Sequence, residues 1–145
     1  VADGGQVVLY APHVREISRM HPELNDIGYH CRDYFTKQWP RFRNLHWGVL
    51  AHSTHLRGAG TYDPVNGERC RVTVTLATAI PEEIVRAANL DYLDPATIDL
   101  SAWESDPATL VVPEADVCVV GARLHADAEA GTRVVAVGSI GGAVG

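Results

Sequence analysis

Short runs of β-branched and aliphatic residues recur along this chain, and the stretches between them carry helical spacing or proline stops. That alternation restricts the fold more than any other feature. A strand followed by a helix and a further strand packs back on itself as a layered α/β domain, with a largely parallel or mixed sheet flanked by helices. The first run, Gln6-Val7-Val8-Leu9-Tyr10, is entered through Gly4-Gly5. A Gly-Gly at this point usually closes a helix, so an upstream helix and an upstream domain are expected, with this chain a fragment. Val14, Ile17 and Met20 share a face at three-residue spacing and predict a first, short helix over 14–20. Residues 29–39, rich in aromatic and basic side chains, predict a second helix that ends at Pro40.

Trp47-Gly48-Val49-Leu50-Ala51-His52 reads as a second buried strand, and the polar, Gly-rich residues 53–69 as a long loop. Over 70–78, Val72, Val74 and Leu76 alternate with Arg71, Thr73 and Thr75, the pattern of a strand with one face wet or near an edge. Pro81-Glu82-Glu83 opens a helix that should run to about Asn89, with Pro81 at its first position and Ile84, Val85 and Ala88 inward. Further strands are predicted over 110–112, 117–120 and 133–137, with a short helix over 122–130 and a disordered Gly-rich end from Ser139.

The 145 residues suit one ordinary core. With a net charge of −6 the chain lacks the basic face that nucleic acid demands. Its longest apolar runs fall well short of the roughly 20 residues that span a bilayer, and its start shows no export signal. Neither nucleic acid nor membrane is expected as a partner, and a cytoplasmic location follows. Cys31, Cys70 and Cys118 lie at long, unrelated spacings, which is neither a disulfide framework nor a paired metal clip, so they read as reduced, buried thiols.

Candidate chemistry gathers at predicted strand ends. In open α/β sheets ligands bind outside the carboxyl ends of strands; those ends carry Ala11-Pro12-His13, then His52-Ser53-Thr54-His55, then Thr78. His13, His52, Ser53 and His55 are therefore cleft-lining candidates, although the same residue types also cap helices and satisfy loop backbone. His13, His30 or His46 could complete a metal site with His52 and His55, but His-x-x-His off a strand has no fixed face, and no metal ligand is assigned. Ser53 with a neighbouring histidine has neither a Gly-x-Ser-x-Gly elbow nor a placed carboxylate, so no catalytic residue is assigned. Gln38 and Trp39 combine a donor–acceptor pair with a large apolar wall, which suits a small hydroxy acid. A tryptophan before a proline equally suits a core.

Four segments carry a resemblance: residues 4–13 (Gly-Gly-Gln-Val-Val-Leu-Tyr-Ala-Pro-His), 28–35 (Gly-Tyr-His-Cys-Arg-Asp-Tyr-Phe), Lys37-Gln38-Trp39, and 47–55 (Trp-Gly-Val-Leu-Ala-His-Ser-Thr-His). Over residues 4 to about 114 the chain resembles the carboxyl-terminal domain of the nickel-pincer lactate racemase family, in its racemase-like branch. The resemblance implies reversible hydride removal from the hydroxyl-bearing carbon of a 2-hydroxy acid. It also implies a nickel-pincer nucleotide held by a missing amino-terminal domain, with its lysine attachment, histidine ligand and catalytic histidine pair. No cofactor is then expected on this chain alone, which would not be catalytic by itself. Of the family's substrate residues only a tryptophan is matched, by Trp39; Gln38 and His13 are substrate-side candidates beside it. Residues 1–115 correspond to the family's domain, and 116–145 form an extension that the resemblance does not cover. A stand-alone module binding a metal or small anion through His13, His52 and His55 is the competing expectation.

Overall fold

The computed structural model describes residues 3–113 and 133–137. A five-stranded sheet organises them, in the order β5-β4-β1-β7-β6, and every pairing in it is parallel. The strands are β1 (Gln6–Ala11), β4 (Thr73–Thr78), β5 (Asp91–Leu93), β6 (Thr109–Val112) and β7 (Arg133–Val137). The layered α/β expectation therefore holds. Strand β1 lies at the centre because its continuous apolar run can be covered on both faces. Val8 is in register with Thr75 of β4 and Val135 of β7.

Alternate residues of β1 face two separate cores, as the period of two requires. On one face Leu9, Val74 and Leu76 pack with Leu24, Val49, Ile80, Val85 and Leu90. These come mainly from α1 (Glu23–Ile27), α4 (Trp47–Arg57), α5 (Glu82–Ala87) and the segments flanking α5. On the other face Val8, Ala77 and Val135 meet Leu100 and Trp103 of α6 (Leu100–Glu104). A third cluster joins Phe35 of α2 (Arg32–Lys37), Phe42 of α3 (Trp39–Phe42) and Leu50 of α4. Beside it lies an antiparallel hairpin of β2 (Gly60–Asp63) and β3 (Gly67–Cys70). Its turn is held by Asp63 Oδ1, which accepts from the backbone N–H groups of Val65 and Asn66 at 2.9 Å, and by Gly67 at φ +77°.

Several local expectations are corrected. Residues 47–52 are the first half of helix α4, not a strand. His46 Nδ1 accepts from Gly48 N–H at its start, and Gly58 ends it at φ +81°. Val49, Ser53 and Leu56 continue the helical spacing beyond the apolar run, and this longer period decides the outcome. The supposed loop 53–69 holds the rest of α4 and most of the hairpin.

No helix forms over 14–20; Val14 and Ile17 still pack on the core, whereas Met20 is 85% exposed. The second predicted helix is two, because Pro40 sits in the first turn of α3, where no intrahelical N–H bond is lost. Strand β4 is buried on both faces, with Val74, Thr75, Ala77 and Thr78 inside, and the sheet edge falls to β5. Pro81 caps α5 instead of opening it, and Ile84 points outward while Val85 and Ala88 are buried. Strands β6 and β7 lie where the sequence predicts them; the expected elements over 117–120 and 122–130 and the Gly-rich end lie outside the described residues.

Candidate functional site

Parallel pairing brings Ala11 and Thr78 to the same sheet edge, the carboxyl ends of β1 and β4. The two residues there behave differently. Thr78 is buried, and its hydroxyl donates to Val14 O at 2.8 Å, tying the turn after β1 to the end of β4. His13 is exposed in that turn. The His52-Ser53-Thr54-His55 segment is not at a strand end, because it belongs to α4. One turn of helix separates His52 from His55, both exposed, and the buried Ser53 points inward between them.

Ser53 is a structural clasp. Its hydroxyl donates to Gly28 O at 2.9 Å and accepts from His30 N–H at 3.0 Å, so it is occupied on both sides. Both partners belong to the extended segment between α1 and α2, which Ser53 thereby fixes to α4. Gln38 spends its amide on Tyr34 O at 3.1 Å. Trp39, at the start of α3, is 49% exposed, and Trp47, at the start of α4, is 75% exposed.

Spacing gave no sign of the densest polar cluster, which is built around Glu68 on β3. Its carboxylate accepts from the backbone N–H of Cys31 and from Asn89 Nδ2 at 2.9 Å, and it pairs with His30 Nδ1 at 2.9 Å. Asn89 adopts φ +59°, a left-handed conformation that asparagine tolerates, and its amide also reaches Tyr29 O at 2.8 Å. The His30 ring stacks on Tyr34 at 3.6 Å between centroids. Burial alone would raise the Glu68 carboxyl, but the hydrogen bonds from His30 and Cys31 outweigh it and bring the group down to about 2. Burial pushes the Cys31 thiol up to about 11 and raises that of Cys70. The donor atoms of Cys31, Glu68 and Cys70 lie within 4.8 Å of one another. Among the described residues no comparable group of three forms from His13, His52 and His55.

Two hollows flank the carboxyl end of α4. One, of about 440 Å³, runs along Val7, Leu9 and Val74 of the sheet and includes Arg71; the other, of about 450 Å³, includes Arg32, Asp33 and Gly60. His55 lines both, and of the residues singled out from the sequence it alone does so. His13, Gln38 and Trp39 line neither hollow. His55 thus stands between two hollows, one carrying Arg71, which is paired with Asp3, and the other carrying Arg32 beside Asp33.

The residues present do not fit attachment of a pincer nucleotide. Lys37 is the only lysine of the sequence, and its ammonium is engaged by Asp33 at 3.1 Å and by Tyr62 O at 2.8 Å.

No family model matches this chain, and no curated protein matches it. A solved structure of a Thermotoga maritima protein from the Northeast Structural Genomics Consortium is similar, at 39% identity and a TM-score of 0.65. The match covers 72% of this chain and 26% of that one, so the chain spans about a quarter of that protein's length. The likeness supports the mixed α/β fold.

Proposed function

We propose that this chain is the substrate-cleft domain of a 2-hydroxy acid racemase or epimerase of the nickel-pincer lactate racemase type. In this reading it works in the cytoplasm against a separate domain that holds the cofactor. The observation that carries it is Trp39. The residue that the resemblance assigns to substrate is about half exposed at the start of α3, with the still more exposed Trp47 eight residues on. Two large apolar rings left in water suit a surface that another body covers. The match to one quarter of a longer protein supports a place for this chain within a longer polypeptide.

In this role the chain supplies a wall and polar contacts, and excludes water when the domains close, while the hydride chemistry belongs to the cofactor. Trp39 would face the acid, with Gln38 and His13 as further substrate-side candidates; His55, Arg32 and Arg71 line hollows that none of these three reaches. The test uses the enzyme in which this chain is joined to its metal-holding domain, with lactate as the probe. Trp39→Ala should lower kcat/KM at least about tenfold, a loss of roughly 1.4 kcal/mol of transition-state stabilisation, with an unchanged circular dichroism spectrum. Unchanged kcat/KM, or racemisation of lactate by the isolated chain, sinks the proposal.

A further inference from the structure

The geometry points to a binding site for one thiophilic divalent cation of the zinc class, formed by Cys31, Glu68 and Cys70. It uses none of the residues of the proposed substrate cleft. Two thiols and one carboxylate converge from the start of α2 and from β3, with their donor atoms within 4.8 Å of one another. Tetrahedral zinc with bonds of about 2.3 Å to sulfur holds two thiolates about 3.8 Å apart. With a bond of about 2.0 Å to oxygen, sulfur and oxygen ligands stand about 3.5 Å apart, so a contraction of at most about 1.3 Å closes the site.

Three features favour loading. The carboxylate is already oriented: one Glu68 oxygen is paired with His30 Nδ1 and Asn89 Nδ2 while the other receives the Cys31 N–H. A ligating carboxylate is normally held by hydrogen bonds from outside the site, as this one is. Gly60 lets β2 close on the pair, since a Cβ there would lie 3.0 Å from Cys31 Cβ and 3.1 Å from Cys70 Cα. Because Gly60 also lines the 450 Å³ hollow, one glycine separates the cluster from that hollow.

The third feature is charge. Arg57 lies beside Cys70, and its buried Nε has no acceptor among the described residues. Unloaded, the ionised Glu68 and Arg57 cancel. On loading, each thiol releases its proton to solvent as its metal–sulfur bond forms, nothing is oxidised, and one divalent cation replaces two protons. The interior charge is therefore unchanged, which limits the electrostatic cost of filling the site. The unloaded thiols, raised by burial, are poor nucleophiles, and the cation is what would deprotonate them.

The test is a calorimetric titration of the reduced full chain with Zn²⁺ alone, on a Cys118→Ser background that removes the third thiol. One equivalent should bind with release of about two protons, read from two buffers of different ionisation enthalpy, and Co²⁺ should give sulfur-to-metal charge-transfer absorption. Cys70→Ser and Glu68→Gln should each weaken binding at least about a hundredfold, above the range of outer-shell changes, with folding checked by circular dichroism. A folded, reduced chain that takes up no zinc overturns the proposal. So does binding undiminished in the Cys31→Ser, Cys70→Ser double variant, or Co²⁺ binding without charge transfer.

Discussion

Replacing Glu68 with glutamine keeps the shape of the side chain and removes its charge, so it isolates what the carboxylate contributes. In the folded chain this carboxyl sits at about 2 against an ordinary 4.5, and its side chain is only 11% exposed. At about 1.4 kcal/mol per pH unit, that displacement corresponds to about 3 kcal/mol of folding stability. Because the folded value lies below the unfolded one, the contribution is complete above pH 4.5 and disappears as the pH falls towards 2. At pH 3, about 2 kcal/mol of it should already be lost. Urea unfolding of the metal-free chain, in chelator, should therefore place Glu68→Gln about 3 kcal/mol below the parent at pH 7. That corresponds to a midpoint about 2 M lower for a chain of this size. By pH 3 the two proteins should have converged by about 2 kcal/mol. A gap of equal size at both pH values would refute the assignment of this stability to ionised Glu68, whatever the gap at pH 7.

Other substitutions test the packing around the same region. Ser53→Ala should cost about 2 kcal/mol in urea unfolding, because His30 N–H and Gly28 O lose a buried partner. Gly60→Ala should cost a similar amount, about 2 kcal/mol, since its Cβ would fall 2.7 Å from Arg69 O, a backbone atom that cannot rotate away. Val8→Ala, at a fully buried position in the central strand, should lower stability by about 2–3 kcal/mol. Trp39→Ala should change the stability of the isolated chain by less than about 1 kcal/mol, as a half-exposed ring predicts; a larger loss would mark it as part of the core.

Local sequence pattern was enough to place four of the five strands of the sheet. Strands β1, β6 and β7 were legible from their β-branched runs and β4 from its alternation, whereas the three residues of β5 carry too short a pattern. The run Trp47 to His52 misled because six apolar-rich residues fit a buried strand and one face of a helix equally well; only Ser53 and Leu56, further along, disclose the period. Ser53 was singled out as lining a cleft and proved a clasp, since a hydroxyl's role depends on what lies across from it in space.

The Glu68 cluster was illegible for the same reason. Its members come from the start of α2, from β3 and from the turn after α5, and only the folding of the hairpin over α2 and α5 brings them together. A glutamate flanked by Gly67 and Arg69 in a polar stretch carries no sign of burial. His55 was singled out for a strand end it does not occupy, yet it lines both hollows because α4 delivers it there.

Strand β7 enters the sheet between β1 and β6, with Gln6 opposite Arg133. During synthesis, then, one side of β1 must wait for a partner 127 residues later. At about 5–20 residues per second the delay is roughly 6–25 s. Throughout that interval the nascent chain exposes an unpaired edge of Val7, Val8 and Leu9, the kind of edge on which neighbouring chains associate. Ribosome-bound chains halted before Arg133 should accordingly be more prone to capture by chaperones than chains halted well after Val137.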